Sequence, residues 1–256
     1  MESYNKNKIL ILINGDAIDI SWSKENIDGI IEAFYPGELG GGAIANILFG
    51  LVSPAEKLIY TIYDKSFLTS RPSIMDMNLR DNGGITYRYY TGTPVYPFGY
   101  GLSYTNFTYK YYNSSSDLTR TVNTKLLADF YRNGYYFYKT EATSFVVEVT
   151  NTGNMASDCV VLGFVTSEND PDAPLIKLFD FQRTFVDIGQ SVNVTLSITP
   201  ESISITNKYG NERIVPGKYN LYIGDYQNNN FIKTHLILRG EEESIFNLQK
   251  IKRKIL

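Results

Sequence analysis

Apolar residues come in short unbroken runs over the first hundred positions and alternate with polar ones over much of the rest. The Ile-Leu-Ile-Leu-Ile run at 9–13 ends at Asn14-Gly15, the pattern of a strand buried on both faces of a parallel sheet. A short helix is expected over 24–30, capped by Ser21 or Ser23 and weakened by Gly29. Residues 30–35 read as a second buried strand, closed by Pro36-Gly37. After Gly40-Gly41-Gly42, the small and apolar residues at 43–49 suit a helix that Gly50 ends. Residues 58–63, Leu-Ile-Tyr-Thr-Ile-Tyr, read as a third strand. Strand, helix, strand, helix, strand implies right-handed crossovers and an α/β layer of three parallel strands.

From residue 106 the chain turns rich in Thr, Val, Asn, Ser and Tyr. The segments 145–150, 160–165, 192–198 and 219–224 read as strands. Turn signals at Asn151-Thr152-Gly153-Asn154, Asp187-Ile188-Gly189-Gln190 and Val215-Pro216-Gly217-Lys218 separate them. An antiparallel β-sandwich of about 100 residues fits this spacing. Residues 110–143 depart from it and read as an expanded, Tyr-rich loop. The last segment opens with Glu241-Glu242-Glu243 and ends in a basic run at 250–254, a polarity that suits a short helix or a solvated tail. The fold class expected is therefore α/β plus all-β: an incomplete α/β sandwich over 1–102, an antiparallel β-sandwich over 103–240, and a tail over 241–256.

The 256 residues carry a net charge of −3 with no basic block ahead of the last few positions, which argues against nucleic acid as a partner. No window reaches the roughly 18 to 20 consecutive apolar residues that span a bilayer. The run at 9–13 is too short for the core of a secretory signal, so the chain as written is expected in the cytosol. Against this stand three Asn-x-Ser/Thr tripeptides at Asn106, Asn113 and Asn193, acceptor sites for glycans in a secreted protein. The single cysteine, Cys159, excludes an internal disulfide and a thiolate metal cluster. The single histidine, His235, reads as an ordinary strand residue. Neither metal nor cofactor is expected.

Four separated motifs occur in a fixed order: Asp19-Ile20-Ser21-Trp22, Tyr35-Pro36-Gly37-Glu38-Leu39-Gly40-Gly41, Leu48-Phe49-Gly50, and the segment 96–105 containing Pro97-Phe98-Gly99-Tyr100-Gly101. In that order they resemble the C-terminal part of family 3 glycoside hydrolases, the β-glucosidases and β-xylosidases. Met75-Asp76-Met77-Asn78-Leu79-Arg80 followed by Thr86-Tyr87-Arg88-Tyr89-Tyr90 looks more like the β-xylosidases. The second half resembles the fibronectin type III-like domain of such enzymes, including Leu178-Phe179-Asp180-Phe181-Gln182-Arg183. The resemblance implies that the whole enzyme hydrolyses terminal β-linked sugars with retention of stereochemistry and without a metal, outside the cell or in a vacuole or lysosome. It also implies that the chain is one portion of such an enzyme. The alternative is a non-catalytic module that binds carbohydrate or a protein partner.

Retaining hydrolysis needs two carboxyl groups about 5 to 5.5 Å apart. The resemblance places the nucleophilic aspartate on an N-terminal barrel domain and the acid/base glutamate upstream of the strand at 9–13, so no residue here inherits either role. Asp19, Glu38, Asp64 and Asp76 read instead as turn and helix-end carboxylates. The Gly40-Gly41-Gly42 loop lacks the ending of a phosphate-binding loop and reads as close backbone packing. Sugar rings stack on aromatic rings, and the 21 tyrosines and one tryptophan supply candidates among many packing residues. Trp22, Tyr35, Glu38, Tyr87, Arg88 and Tyr100 are the candidate substrate-binding set, with Arg88 also suited to a charge-assisted bond at the seam between layer and sandwich. A three-strand layer leaves an apolar face and a strand edge to be covered, by the barrel domain or by a protein partner.

Overall fold

The computed structural model describes residues 7–71, 73, 75–76, 78–112, 119–132 and 143–246. Contacts divide the chain into two compact units, Met1–Tyr104 and Thr105–Leu256.

In the first unit β1 (Ile9–Leu12) and β2 (Gly29–Glu32) pair in parallel, with Leu10 opposite Ile30 and Ile11 opposite Ile31. The crossover contains α1 (Ser21–Asn26), and α2 (Gly40–Leu48), α3 (Ser66–Ser70) and α4 (Thr86–Tyr89) follow. The strand period of two divides β1. Leu12 joins Ile30, Leu58, Tyr60 and Tyr96 against the buried trio Ile20, Ile62 and Val95, whereas Ile9, Ile11 and Ile13 are exposed.

Two expectations are corrected here. Strand β2 ends at Glu32 rather than Tyr35, because Phe34 takes a left-handed backbone conformation (φ 51°) that a strand does not tolerate. The run at 58–63 is not a third parallel strand. It binds the segment 95–100 at separate points, Leu58 N–H to Tyr100 O and Gly99 N–H to Leu58 O at 2.8 Å each, and Ile62 N–H to Tyr96 O at 2.9 Å in an isolated antiparallel bridge. The facing segment turns at 97–100, where the Tyr100 N–H donates to the Pro97 carbonyl at 3.2 Å and Gly99 takes a left-handed conformation (φ 81°), so a ladder cannot close. The parallel sheet therefore has two strands.

The second unit is a sandwich. Its strands are β3 (Phe107–Tyr111), β4 (Arg120–Asn123), β5 (Thr143–Asn151), β6 (Ser157–Ser167), β7 (Lys177–Val186), β8 (Ser191–Ile198), β9 (Ile205–Thr206), β10 (Glu212–Ile214), β11 (Gly217–Asp225), β12 (Asn230–Arg239) and β13 (Glu243–Phe246). One sheet runs β4-β12-β11-β6-β7, another β3-β5-β8, and a small one β13-β10-β9. Alternation supplies the core between them: Phe145, Val147 and Val149 from β5, Leu196 and Ile198 from β8, Leu221 and Ile223 from β11, and Leu236 from β12 are fully buried. The Tyr219 hydroxyl, at the start of β11, donates to the Val215 carbonyl at 2.7 Å. This back-bond of a buried tyrosine is the corner that closes many sandwiches of this type. Burial pushes its phenol up to about 12.

The stretch 110–143 is not wholly loop. It contributes the end of β3, all of β4, and α5 (Thr124–Arg132). Thr124, Leu127, Ala128 and Tyr131 fall at helical spacing on one side of α5; the first three are buried, and Tyr131 packs on the core from the edge. The acidic start of the last segment is likewise strand rather than helix, since β13 pairs antiparallel with β10. A four-residue turn, α6 (Pro200–Ile203), is closed by a reciprocal Thr199–Ser202 capping box. Asn113 lies outside the described residues.

Candidate functional site

Parallel pairing brings the carboxyl ends of β1 and β2, and the loops that follow them, to one edge, where α/β sheets place their ligands. Polar side chains collect there. Asn14, two residues past β1, donates through Nδ2 to the Asp16 carbonyl at 2.7 Å and reaches Glu32 Oε2 and Tyr60 Oη at 3.4 Å each. Glu32, the last residue of β2, accepts on Oε1 from the Phe34 N–H at 3.2 Å. The Phe34 and Tyr60 rings meet edge to face with centroids 5.6 Å apart. Burial, and then the charge of Glu32, push the Tyr60 phenol up to about 12. At neutral pH Tyr60 is thus a protonated donor beside an acceptor carboxylate.

Asp19 ties the next loop. It accepts from the Ser21 N–H at 2.9 Å, the Ser21 hydroxyl at 2.5 Å and the Lys65 N–H at 3.1 Å. The bonds from Ser21 hold its carboxyl below the usual carboxylate range. Asp64 does the same for α3, accepting from the Ser66 N–H at 2.6 Å. Asp76 faces Arg71 at 3.5 Å and accepts from the Asn78 N–H at 3.0 Å. These carboxylates organise turns. The three glycines open α2 rather than form a loop, and close packing holds at Gly40 alone: a Cβ there would meet Pro36 at 2.5 Å, whereas Gly41 and Gly42 have open space. The N–H groups of Gly40, Gly42 and Ala43 donate to the Gly37 and Leu39 carbonyls.

The six candidate binding residues separate into two groups. Trp22 on α1, Tyr35 and Glu38 follow the carboxyl ends of the two strands and are exposed, Trp22 at 67% and Tyr35 at 76%. The Tyr35 ring covers Gly15, where a Cβ would lie 2.6 Å from it. The other three sit in aromatic packing. Tyr87 stacks on Phe98 with centroids 4.1 Å apart, Arg88 lies 5.9 Å from the Tyr87 ring, and Tyr100 packs on Tyr96 at 5.0 Å. Lys24 joins that last pair, 4.7 Å over the Tyr96 ring, and donates to the Val95 carbonyl at 2.7 Å. Residues 22 and 24 face different sides of a helix, so this anchor turns Trp22 outward.

Asn14, Glu32 and Tyr60 are not singled out by pattern. Each is a polar group set in or just after an apolar run, and that break in the run is their sequence signal. Among the described residues no group of three or more His, Cys, Asp or Glu side chains is arranged to hold a metal ion. His235 is a strand residue on β12, opposite Asn220 of β11.

Residues 1–104 match the glycosyl hydrolase family 3 C-terminal domain, and residues 160–227 match a fibronectin type III-like domain. An exo-1,4-β-xylosidase of Aspergillus oryzae is 35% identical over 254 residues, an alignment covering 96% of this chain and 31% of that enzyme. The β-D-xylosidase 1 of Arabidopsis thaliana is 32% identical over 250 residues, covering 89% of this chain and 32% of that enzyme. A solved family 3 exo-β-xylosidase, in complex with a xylobiose aziridine probe, superposes with a TM-score of 0.81 at 32% identity, over 93% of this chain and 32% of the other. The chain spans about a third of the length of the relatives it matches.

Proposed function

Because the chain carries the C-terminal region of glycoside hydrolase family 3, joined to a fibronectin type III-like domain, we propose that it is the C-terminal portion of a retaining β-glycosidase that removes terminal β-linked xylose, with β-glucose the second choice. One observation carries the reading: identity with an exo-1,4-β-xylosidase runs through nearly the whole of both units rather than through one motif. The family resemblance implies that the nucleophile and the acid/base lie in the two-thirds of such an enzyme that this chain does not match. The chain alone then binds and positions, and does not turn over substrate.

Trp22, Tyr35 and Glu38 are proposed to meet the sugar. Support comes from their exposure and their place after the carboxyl ends of β1 and β2. Tyr87, Arg88 and Tyr100 are proposed to act behind them, as the packed support of the same unit. What covers the exposed Ile9, Ile11 and Ile13 side of the sheet is proposed to be the preceding part of the same polypeptide, since parallel sheets are covered on both faces.

Assay of the full-length protein and of this chain alone on aryl β-xyloside and aryl β-glucoside tests the reading. Turnover by the full-length protein only, faster on the xyloside, is expected. Sustained turnover by the isolated chain, or none by the full-length protein, overturns it.

A further inference from the structure

The sheet β3-β5-β8 buries one face and presents the other to solvent. Phe107, Tyr109 and Tyr111 of β3 pack on the core, as do Phe145, Val147 and Val149 of β5 and Val194, Leu196 and Ile198 of β8. Register sets the opposite-facing residues in rows: Thr108, Thr150 and Ser191 in one, Lys110, Glu148 and Asn193 in the next. This outer face is polar, with a Thr150–Ser191 hydroxyl pair at 2.7 Å and a Lys110–Glu148 ion pair at 3.8 Å.

Two Asn-x-Thr tripeptides lie on it, at 106–108 and 193–195. Asn106, Thr108, Asn193 and Thr195 are all exposed. A strand repeats every two residues, so each asparagine shares its side of the sheet with the threonine that completes its tripeptide. The two sites sit on the two outer strands of the sheet, or immediately beside one, with β5 between them. A bulky, solubilising group at either position meets no core side chain and shields a strand edge.

We propose that Asn106 and Asn193 carry N-linked glycans, and that this face of the sandwich stays in solvent in the full-length enzyme. The inference rests on the glycosidase reading, because the family resemblance implies an enzyme working outside the cell or in a vacuole or lysosome, compartments reached by the route on which such glycans are added. In the modification the Asn Nδ2 bonds to the anomeric carbon of an oligosaccharide held on a lipid diphosphate. The bond from that carbon to the diphosphate oxygen breaks, the lipid diphosphate leaves, and the amide gives up one proton.

The test is the mass of the full-length secreted protein before and after peptide N-glycosidase, with site mapping of the deglycosylated peptides and xylosidase activity measured on the same sample. Loss of mass, with Asn106 and Asn193 converted to Asp, is expected. The variants Asn106→Gln and Asn193→Gln each lose one glycan, and Thr195→Ala removes the second glycan while leaving Asn193 in place. Unmodified peptides at both positions overturn the inference even when activity is present. Glycans without any glycosidase activity uphold the inference and sink the functional reading.

Discussion

The Thr105 hydroxyl donates a 2.7 Å hydrogen bond to Oδ1 of Asn151, and both side chains are buried. Asn151 Oδ1 also accepts from the Gly153 N–H at 3.1 Å, and its Nδ2 donates to the Met155 and Val186 carbonyls at 2.8 and 3.0 Å. One fully buried amide thus satisfies the start of the second unit, the turn after β5 and the end of β7. Asn151→Ala strands all of these partners and costs about 3 kcal/mol. Thr105→Val leaves Oδ1 one donor and costs about 1 kcal/mol. Urea unfolding of the isolated chain separates the two, and equal midpoints for both variants contradict this account.

Tyr219 couples the sandwich to alkaline pH. Its folded pKa, near 12, lies above the unfolded value near 10. The folded state therefore holds the proton more tightly, and stability present below pH 10 declines as pH rises from about 10 to about 12. The decline is on the order of 2 kcal/mol from this group. Tyr219→Phe loses the bond to Val215, lowering stability at pH 7 by about 1 kcal/mol. It also flattens the alkaline slope, which thermal melts across that range read directly.

Helix α5 is held by its inner side. Leu127 is completely buried in the sandwich core, so Leu127→Ala leaves a cavity and costs about 3 kcal/mol, whereas Leu126→Ala on the exposed side changes stability by less than about 0.5 kcal/mol. A reversed order of the two unfolding midpoints contradicts the assigned helix phase.

Gly15 and Tyr35 test the candidate binding edge. A Cβ at 15 collides with the Tyr35 ring, so Gly15→Ala displaces the ring with little effect on the core. In the full-length enzyme both Gly15→Ala and Tyr35→Ala are expected to raise KM severalfold with kcat nearly unchanged, the signature of lost uniform binding. An unchanged KM for both removes Tyr35 from the proposed sugar-binding set.

Ile11 distinguishes a covered sheet face from a free one. In the isolated chain Ile11→Asp places a charge on an already exposed position and changes stability little. With this face covered as proposed, the same change in the full-length protein buries a charge and is expected to cost about 3 kcal/mol or more. Equal effects in both contexts mean that nothing covers this face.

The residues themselves determined the outline: an α/β layer, of whose three expected parallel strands two form with a crossover helix between them, then a sandwich whose strand at 145–150 is written in an alternation that admits only one buried face. Local pattern suffices there because a one-residue slip would expose the whole apolar set. Tertiary structure decided the rest, wherever a segment's role depends on what faces it. The run at 58–63 has strand composition, yet the turn at 97–100 in the segment opposite leaves it a single isolated bridge. Thr124, Leu127, Ala128 and Tyr131 make a helix side inside a region dominated by tyrosines, and it becomes a core element because β4, β10, β13 and α6 pack against it. Asn14, Glu32 and Tyr60 come from three separate segments, and only parallel pairing and the packing of Tyr60 on Phe34 make them neighbours. Apolar periodicity is a property of one segment, whereas a polar cluster is a property of how several segments meet.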